Sequence, residues 1–345
     1  MLAFTLALVL LNAIPAAWGQ EVTAAVVGTV SDPSGAPIKG ATVTARDVER
    51  GTVWTTETND AGDFTILRLP IGTYTAEVAA PGFEKAVYPP FTLVLNQTAR
   101  LEFKMKVGQV SQTVEVTALA PILQTQDAQV GTIINNVVSE NVPLLTRNSA
   151  ELTLLTPGAV STNPGSFTSG QNTFQVGRPY INGNREQTSN YILDGIDNNQ
   201  HDNNEVAYSP SPDAIEEFNL ITQNPSAEFG NFLGGILNVS FKSGTNSFHG
   251  SAFEFLRNDK FNANTWDNPT DNPKGPFRFN QFGATFGGPI IKNRLFFFLD
   301  YQATRNPVGT TQTIQVMDAN ERAGNFGELC AGAGGTFDGS GICSS

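Results

Sequence analysis

The chain has 345 residues, with only 15% charged side chains, 33 Gly and 20 Pro. Soluble domains usually carry about a quarter charged residues, and this length allows about two or three domains. The formal charge of -12, with no basic cluster to offset it, excludes nucleic acid as a partner and favours a cationic or neutral ligand.

The first residues, "MLAFTLALVLLNAIPAAWGQE", have the form of a secretory signal over residues 1–19. Leu2 to Leu11 form its apolar core, Pro15 breaks it, and Ala17-Trp18-Gly19 places small residues where a signal peptidase cuts. The stretch before the core lacks Lys and Arg, which leaves room for a start further upstream. A membrane anchor is the competing reading, but the run is short and without flanking charges. No later segment supplies the roughly 20 apolar residues a membrane helix needs.

Residues 20–107 alternate in short apolar and polar runs, punctuated by turns rich in Gly, Pro, Asn and Asp. "AAVVGTV", "ATVTARD", "VWTTET", "DFTILRL", "TYTAEVAA" and "ARLEFKMK" read as strands, separated by "SDPSGAPIKG", "NDAGD", "LPIG" and "APGF". Gly28, Asp32, Gly35, Pro37, Gly40-Ala41, Gly62, Phe64, Pro70, Gly72-Thr73-Tyr74 and Pro81-Gly82-Phe83 make the segment resemble the carboxypeptidase regulatory-like domain. That resemblance implies a transthyretin-like β-sandwich. It implies no peptidase activity, because the module is an accessory and the chain has 2 His.

Residues 108–120 form a polar linker containing "QTVEVTA": Gln112, Thr113, Val114, Glu115, Val116, Thr117 and Ala118. Such a segment pairs through its backbone with the edge of a partner's sheet. It resembles a TonB box, which outer-membrane receptors offer to the periplasmic protein TonB. The alternative is that it closes the preceding sandwich as its last strand.

Residues 121–248 resemble the plug of TonB-dependent receptors, an α+β domain. "NNVVSENVPLLTRNSAELTLLTPGAV" holds a helical stretch with Leu152 and Leu155, ending at Thr156-Pro157-Gly158. Where Oar-like receptors read Pro-Leu-Asn-Gly-Arg-Asn, this chain has Pro143-Leu144-Leu145-Thr146-Arg147-Asn148. Arg178, Ile181-Asn182-Gly183, Tyr191, Leu193 and Asp194-Gly195 stand in the family's places in the next motif. In "PDAIEEFNLITQNPSAEFGNFLGGILNVSFKSGTN" so do Ile215-Glu216-Glu217-Phe218, Glu228-Phe229-Gly230, Gly234-Gly235 and Lys242-Ser243-Gly244-Thr245. Glycine suits a plug because it allows close backbone approach together with positive φ. The Asn/Asp-rich loop from Asp194 to Glu205 follows "YILDG". Asn198, Asn199, His201 and Asp202 are candidate ligand contacts there, against the plainer reading of a solvated turn.

Residues 249–345 carry the opening strands of a transmembrane β-barrel. "SFHGSAFEFLR" puts Phe253 and Phe255 on one face, and "RFNQFGATFGG" does so with Phe282, Ala284 and Phe286. After a five-residue turn from Pro289 to Asn293, "LFFFLDYQATR" places Leu295, Phe297, Leu299, Tyr301 and Ala303 together. Long loop, strand, short turn, strand is the rhythm of an outer-membrane barrel whose apolar face meets lipid. The family's barrel has about 22 strands, so the sequence reads as the N-terminal portion of a longer protein. Cys330 and Cys343, the only cysteines, fit either a disulfide across a Gly-rich loop or two free thiols in an exported chain.

The fold expected is therefore mainly β: sandwich, plug, and the first strands of an incomplete barrel. The resemblance implies energy-coupled uptake, with TonB and outer-membrane lipid as partners and a siderophore, cobalamin, oligosaccharide or larger substrate as ligand. The sandwich would be periplasmic. No catalytic residue, cofactor or metal site is expected, because His201 beside Asp194, Asp197, Asp202 and Glu205 lacks ligand spacing. No nucleophile is paired with a base, so the chain is not read as an enzyme. The alternative function is an outer-membrane adhesion or carbohydrate-binding surface protein without transport.

Overall fold

Alternation of apolar and polar residues builds the first strand, β1 (Ala24–Ser31), in which every second residue from Ala24 to Val30 is buried. In the computed structural model β1 is followed by β2 (Thr42–Asp47), β3 (Val53–Glu57), β4 (Asp63–Leu69), β5 (Gly72–Ala79), β6 (Lys85–Leu93), β7 (Thr98–Lys104) and β8 (Thr113–Glu115). The structure describes residues 23–108, 113–115, 128–144, 147–161, 178–230, 232–264, 266, 274–307, 322, 330, 332, 334–338 and 343–344. The expected signal peptide, residues 1–19, lies outside them, as do Gln112, Val116, Thr117 and Ala118.

One sheet has the order β4-β1-β7, with β7 parallel to β1; the other runs β3-β2-β5-β6-β8. Between them Val26, Val43, Leu69, Tyr74, Leu101 and Phe103 form a common core. Full burial of such side chains stabilises by about 1.5–3 kcal/mol each. The Tyr74 hydroxyl donates to the Pro70 carbonyl at 2.7 Å, so its polar end is satisfied inside the core. A Cβ at Gly28 would strike the Leu101 carbonyl and the Phe64 ring, so glycine keeps β1 close to both neighbours.

Strand β6 is not among the strands expected from the sequence, and its Pro89-Pro90 pair lacks ladder donors. It accommodates them in a bulge: Tyr74 pairs with Phe91 and Ala76 with Tyr88, leaving Thr75 opposite both prolines.

The next elements are β9 (Val130–Asn135), helix α1 (Asn136–Asn141), a 3-10 turn (Ser149–Leu155), β10 (Ala159–Val160), β11 (Tyr180–Ile181), β12 (Asn190–Leu193), β13 (Ile196–Asp197), β14 (Ile215–Gln223) and β15 (Ile236–Phe241). The helical stretch expected around Leu152 is this 3-10 turn, with Leu152 buried and Leu155 exposed. Five strands form a mixed sheet in the order β13-β12-β15-β14-β9. Phe218 and Leu220, facing Val239 and Leu237 in register, enter its core. Gly235 does need close approach, since a Cβ would meet Ile181 and the Ile221 carbonyl. Positive φ is supplied in this domain by Gly158, Gly183 and Gly195, whereas among the described residues of 212–246 it belongs to Asn224.

Strands β16 (His249–Asn258), β17 (Arg278–Ile291) and β18 (Leu295–Arg305) form a third sheet in that order. β17 extends through Pro289 to Ile291, so its turn to β18 is Lys292–Arg294 and shorter than expected. The chain divides into two compact units, Met1–Glu254 with Gln281–Ala303, and Phe255–Asn280 with Thr304–Ser345. In the second, the Arg257 guanidinium lies 5.0 Å from the Phe277 ring centre, and Lys274 donates to the Asp259 and Asn262 carbonyls at 2.8 Å. There β19 (Thr336–Phe337) pairs antiparallel with β20 (Cys343–Ser344), and Cys330 is buried and disulfide-bonded. Among the described residues no helix is long and apolar enough to cross a membrane, which says nothing of β-strands.

Candidate functional site

Three places carry the residues singled out in the sequence, and a fourth emerges only in the fold. The first is the linker. Thr113–Glu115 adds to β6 in parallel, with Lys85 opposite Thr113, Ala86 opposite Val114 and Val87 opposite Glu115. In this arrangement the heptad's centre closes the second sheet of the N-terminal module.

The second is the Asp194–Glu205 loop. Asp194 and Gly195 have φ of 46° and 78°, the two left-handed residues of a tight hairpin turn between β12 and β13. The Asp194 carboxylate accepts from the Phe241 amide at 2.9 Å, tying that turn to β15. Asn198 donates to the Tyr208 carbonyl at 2.8 Å and accepts from the Tyr208 amide at 3.0 Å. Asn199 accepts from the Tyr191 amide at 3.1 Å and donates to the Asn190 side chain at 2.7 Å. Those two asparagines hold the loop, whereas His201 and Asp202 sit exposed at its tip. Arg178, noted in the sequence as a motif residue, proves to be a brace. It donates to the Asn203 carbonyl at 2.9 Å and forms ion pairs with Glu186 at 3.2 Å and Glu205 at 3.6 Å.

The third is the pair of cysteines, already placed beside β19 and β20.

The fourth is a junction inside the first unit. Alternation along β14 and β15 sends Glu217, Asn219 and Asn238 away from the apolar core, yet all are buried. They meet the Val94–Gln97 turn between β6 and β7: the Leu95 amide donates to Glu217 at 2.8 Å and Asn219 donates to the Leu95 carbonyl at 3.4 Å. Beside this contact opens a cleft of about 920 Å³, lined among others by Arg50, Glu140, Glu216, Glu217, Lys242 and His249. Lys242 pairs with Glu140, and Arg50 with Asp47 and the Ser243 hydroxyl. Burial pushes the Glu217 carboxyl up to about 7, helped by Glu216 and opposed by the Leu95 hydrogen bond. Burial also raises Glu216, with Lys242 opposing. The alternation signals the buried polar face, but nothing local in the sequence names the Leu95 turn as its cover. Among the described residues no group of three or more His, Cys, Asp or Glu could hold a metal ion.

The Asp47–Gly51 turn reaches the start of the third sheet as well. The Asn246 amide donates to the Glu49 carbonyl at 3.1 Å, and Asn246 donates to Asn293, in the β17–β18 turn, at 2.8 Å.

Residues 25–106 match the carboxypeptidase regulatory-like domain, and residues 240–340 match an outer membrane beta barrel domain. Over 331 residues the chain is 27% identical to the TonB-dependent transporter Oar of Myxococcus xanthus, covering 89% of this chain and 29% of that protein. S-layer protein B of Metallosphaera sedula is 31% identical over 124 residues, 36% of this chain and 28% of that one. Among solved structures, the siderophore receptor PirA of Acinetobacter baumannii shares 20% identity at a TM-score of 0.37, over 51% of this chain and 24% of its own. The chain thus spans under a third of the length of the curated relatives it matches.

Proposed function

We propose, from the likeness to the TonB-dependent transporter Oar and to the two matched domains, that the chain forms the N-terminal portion of a TonB-dependent outer-membrane receptor. Its two-sheet module lies in the periplasm, the five-stranded mixed sheet is the plug, and β16–β18 are the first lipid-facing strands. The observation that carries this reading is the inverted third sheet. Phe286, Leu295, Leu299 and Tyr301 are 49%, 48%, 64% and 63% exposed, while Gln281 and Thr285 of the same sheet are buried. In water that pattern is unfavourable, since each such apolar side chain left about half exposed forgoes part of the roughly 1.5–3 kcal/mol that full burial provides. Facing lipid it is the expected one. The rings of Phe286 and Phe297 lie 5.4 Å apart, which supports a continuous apolar face across β17 and β18.

The contact of the Asp47–Gly51 turn with Asn246 and Asn293 supports placing the N-terminal module on the side of the short β17–β18 turn. In outer-membrane barrels that side is periplasmic. The ligand, a siderophore, cobalamin, oligosaccharide or larger molecule, meets the exposed tip at His201 and Asp202. The coupling segment is Gln112–Ala118, and TonB is its partner.

The test is partition between phases. Protein spanning all 345 residues should require detergent, and residues 20–248 should stay in the aqueous phase. A monodisperse detergent-free preparation of the whole chain would refute the lipid-facing assignment. The partial likeness to an S-layer protein favours a second reading, a surface protein without transport. Absence of TonB capture by the purified chain would point to it.

A further inference from the structure

The path by which the chain reaches β8 is pinned before the strand begins. After β7 the Glu84 amide donates to the Lys106 carbonyl at 2.8 Å and the Gly108 amide to the Gly82 carbonyl at 3.1 Å. Phe83 and Val107 form an antiparallel bridge between these two bonds. Residues 106–108 are thereby stapled to the turn that opens β6, and the chain has only four residues to cross before Thr113 pairs with Lys85. So short a tether holds the segment at high effective concentration beside one edge. β5 occupies the other edge of β6, so this edge is the one that can take a further strand.

We propose that the edge of β6 away from β5 is an intramolecular dock for the coupling heptad. The inference rests on reading Gln112–Ala118 as that segment. The dock holds its centre in extended form, with one edge on β6 and the other facing outward. The sheet ends at β8, so among the described residues no strand covers the outer edge. An incoming partner strand pairs there through its backbone, extending the sheet of the N-terminal module without first displacing the heptad. The partner thus meets a preformed strand in place of a disordered tether, and less ordering is required at the encounter.

The register gives the test. Val87 stands opposite Glu115, and directly paired strand positions lie within the Cα separation a disulfide spans, whereas positions two residues out of register do not. The full chain carrying Val87→Cys with Glu115→Cys is compared with Val87→Cys with Thr113→Cys, both in outer membranes under mild oxidation. Mass spectrometry of the linked peptides should show the matched pair at least about tenfold ahead. Equal yields would overturn the dock. Capture of the periplasmic domain of TonB by the matched variant, oxidised and reduced, tests the outward edge. Equal capture supports it, and capture by the reduced form alone overturns it, since the heptad would then have to leave β6. Capture by neither form, with the matched disulfide present, would uphold the dock and sink the coupling reading.

Discussion

Replacing Glu217 with Gln tests the junction between the Leu95 turn and the mixed sheet through its pH dependence. Glu217 is 4% exposed, and burial moves its carboxyl from 4.5 to about 7. Because the folded value lies above the unfolded one, the folded state holds a proton that the unfolded state has released between those two values. Stability from this group is therefore greatest below about pH 4.5 and is lost as pH rises towards 7. At 1.36 kcal/mol per unit, the change between pH 5 and pH 8 is roughly 2.5 kcal/mol. Gln keeps an oxygen to accept the Leu95 amide but cannot ionise. Any unpaired NH₂ it introduces shifts stability equally at both pH values, so the slope is the informative quantity. Hydrogen exchange of the Val94–Gln97 segment in the detergent-solubilised chain, corrected for intrinsic rates, reads the opening equilibrium directly. Wild-type protection should fall roughly 50- to 100-fold between pH 5 and pH 8, and Glu217→Gln should flatten that dependence. Glu216, also raised by burial, serves as the control: Glu216→Gln should leave most of the slope. A wild-type profile that is flat with pH, or a slope that survives Glu217→Gln, would refute the reasoning.

In the complete receptor, Val114→Pro should abolish energy-coupled uptake while leaving ligand binding intact, because proline removes a ladder donor and fixes φ; unchanged uptake would place the coupling segment elsewhere. The candidate ligand loop should split into two classes. Asn198→Ala and Asn199→Ala, which remove side-chain bonds that tie the loop to the backbone of Tyr208 and Tyr191, should each lower thermal stability by about 1 kcal/mol or more. His201→Ala with Asp202→Ala should leave melting unchanged and weaken ligand binding. Equal affinity in that double variant would remove the loop tip from the binding site. Non-reducing peptide mapping of protein from native membranes should find Cys330 joined to Cys343, and two free thiols there would contradict an oxidised surface loop.

Much of the N-terminal module can be read from alternation alone, because β1, β2, β4, β5 and β7 each bury one face against a single core, β3 half-buries one, and the period of two is local. The phenylalanine run is legible for the same reason: Leu295, Leu299 and Tyr301 share a face whichever solvent it meets. Alternation fails at β6, where a bulge absorbs Pro89-Pro90, since a proline pair argues against a strand until its partner's register is known. It also misjudges the turn after β17, because strand length there depends on pairing across the sheet. The least legible feature is the Glu217, Asn219 and Asn238 face. Period two places those three opposite Phe218 and Leu220, but whether such a face meets water or becomes buried depends on what docks against it. Here the cover is the Leu95 turn, 122 residues away along the chain from Glu217. Local sequence determines which side chains share a face. What covers that face, and hence the shifted acidity of Glu217, is decided by tertiary docking, because desolvation depends on atoms brought in from distant parts of the chain.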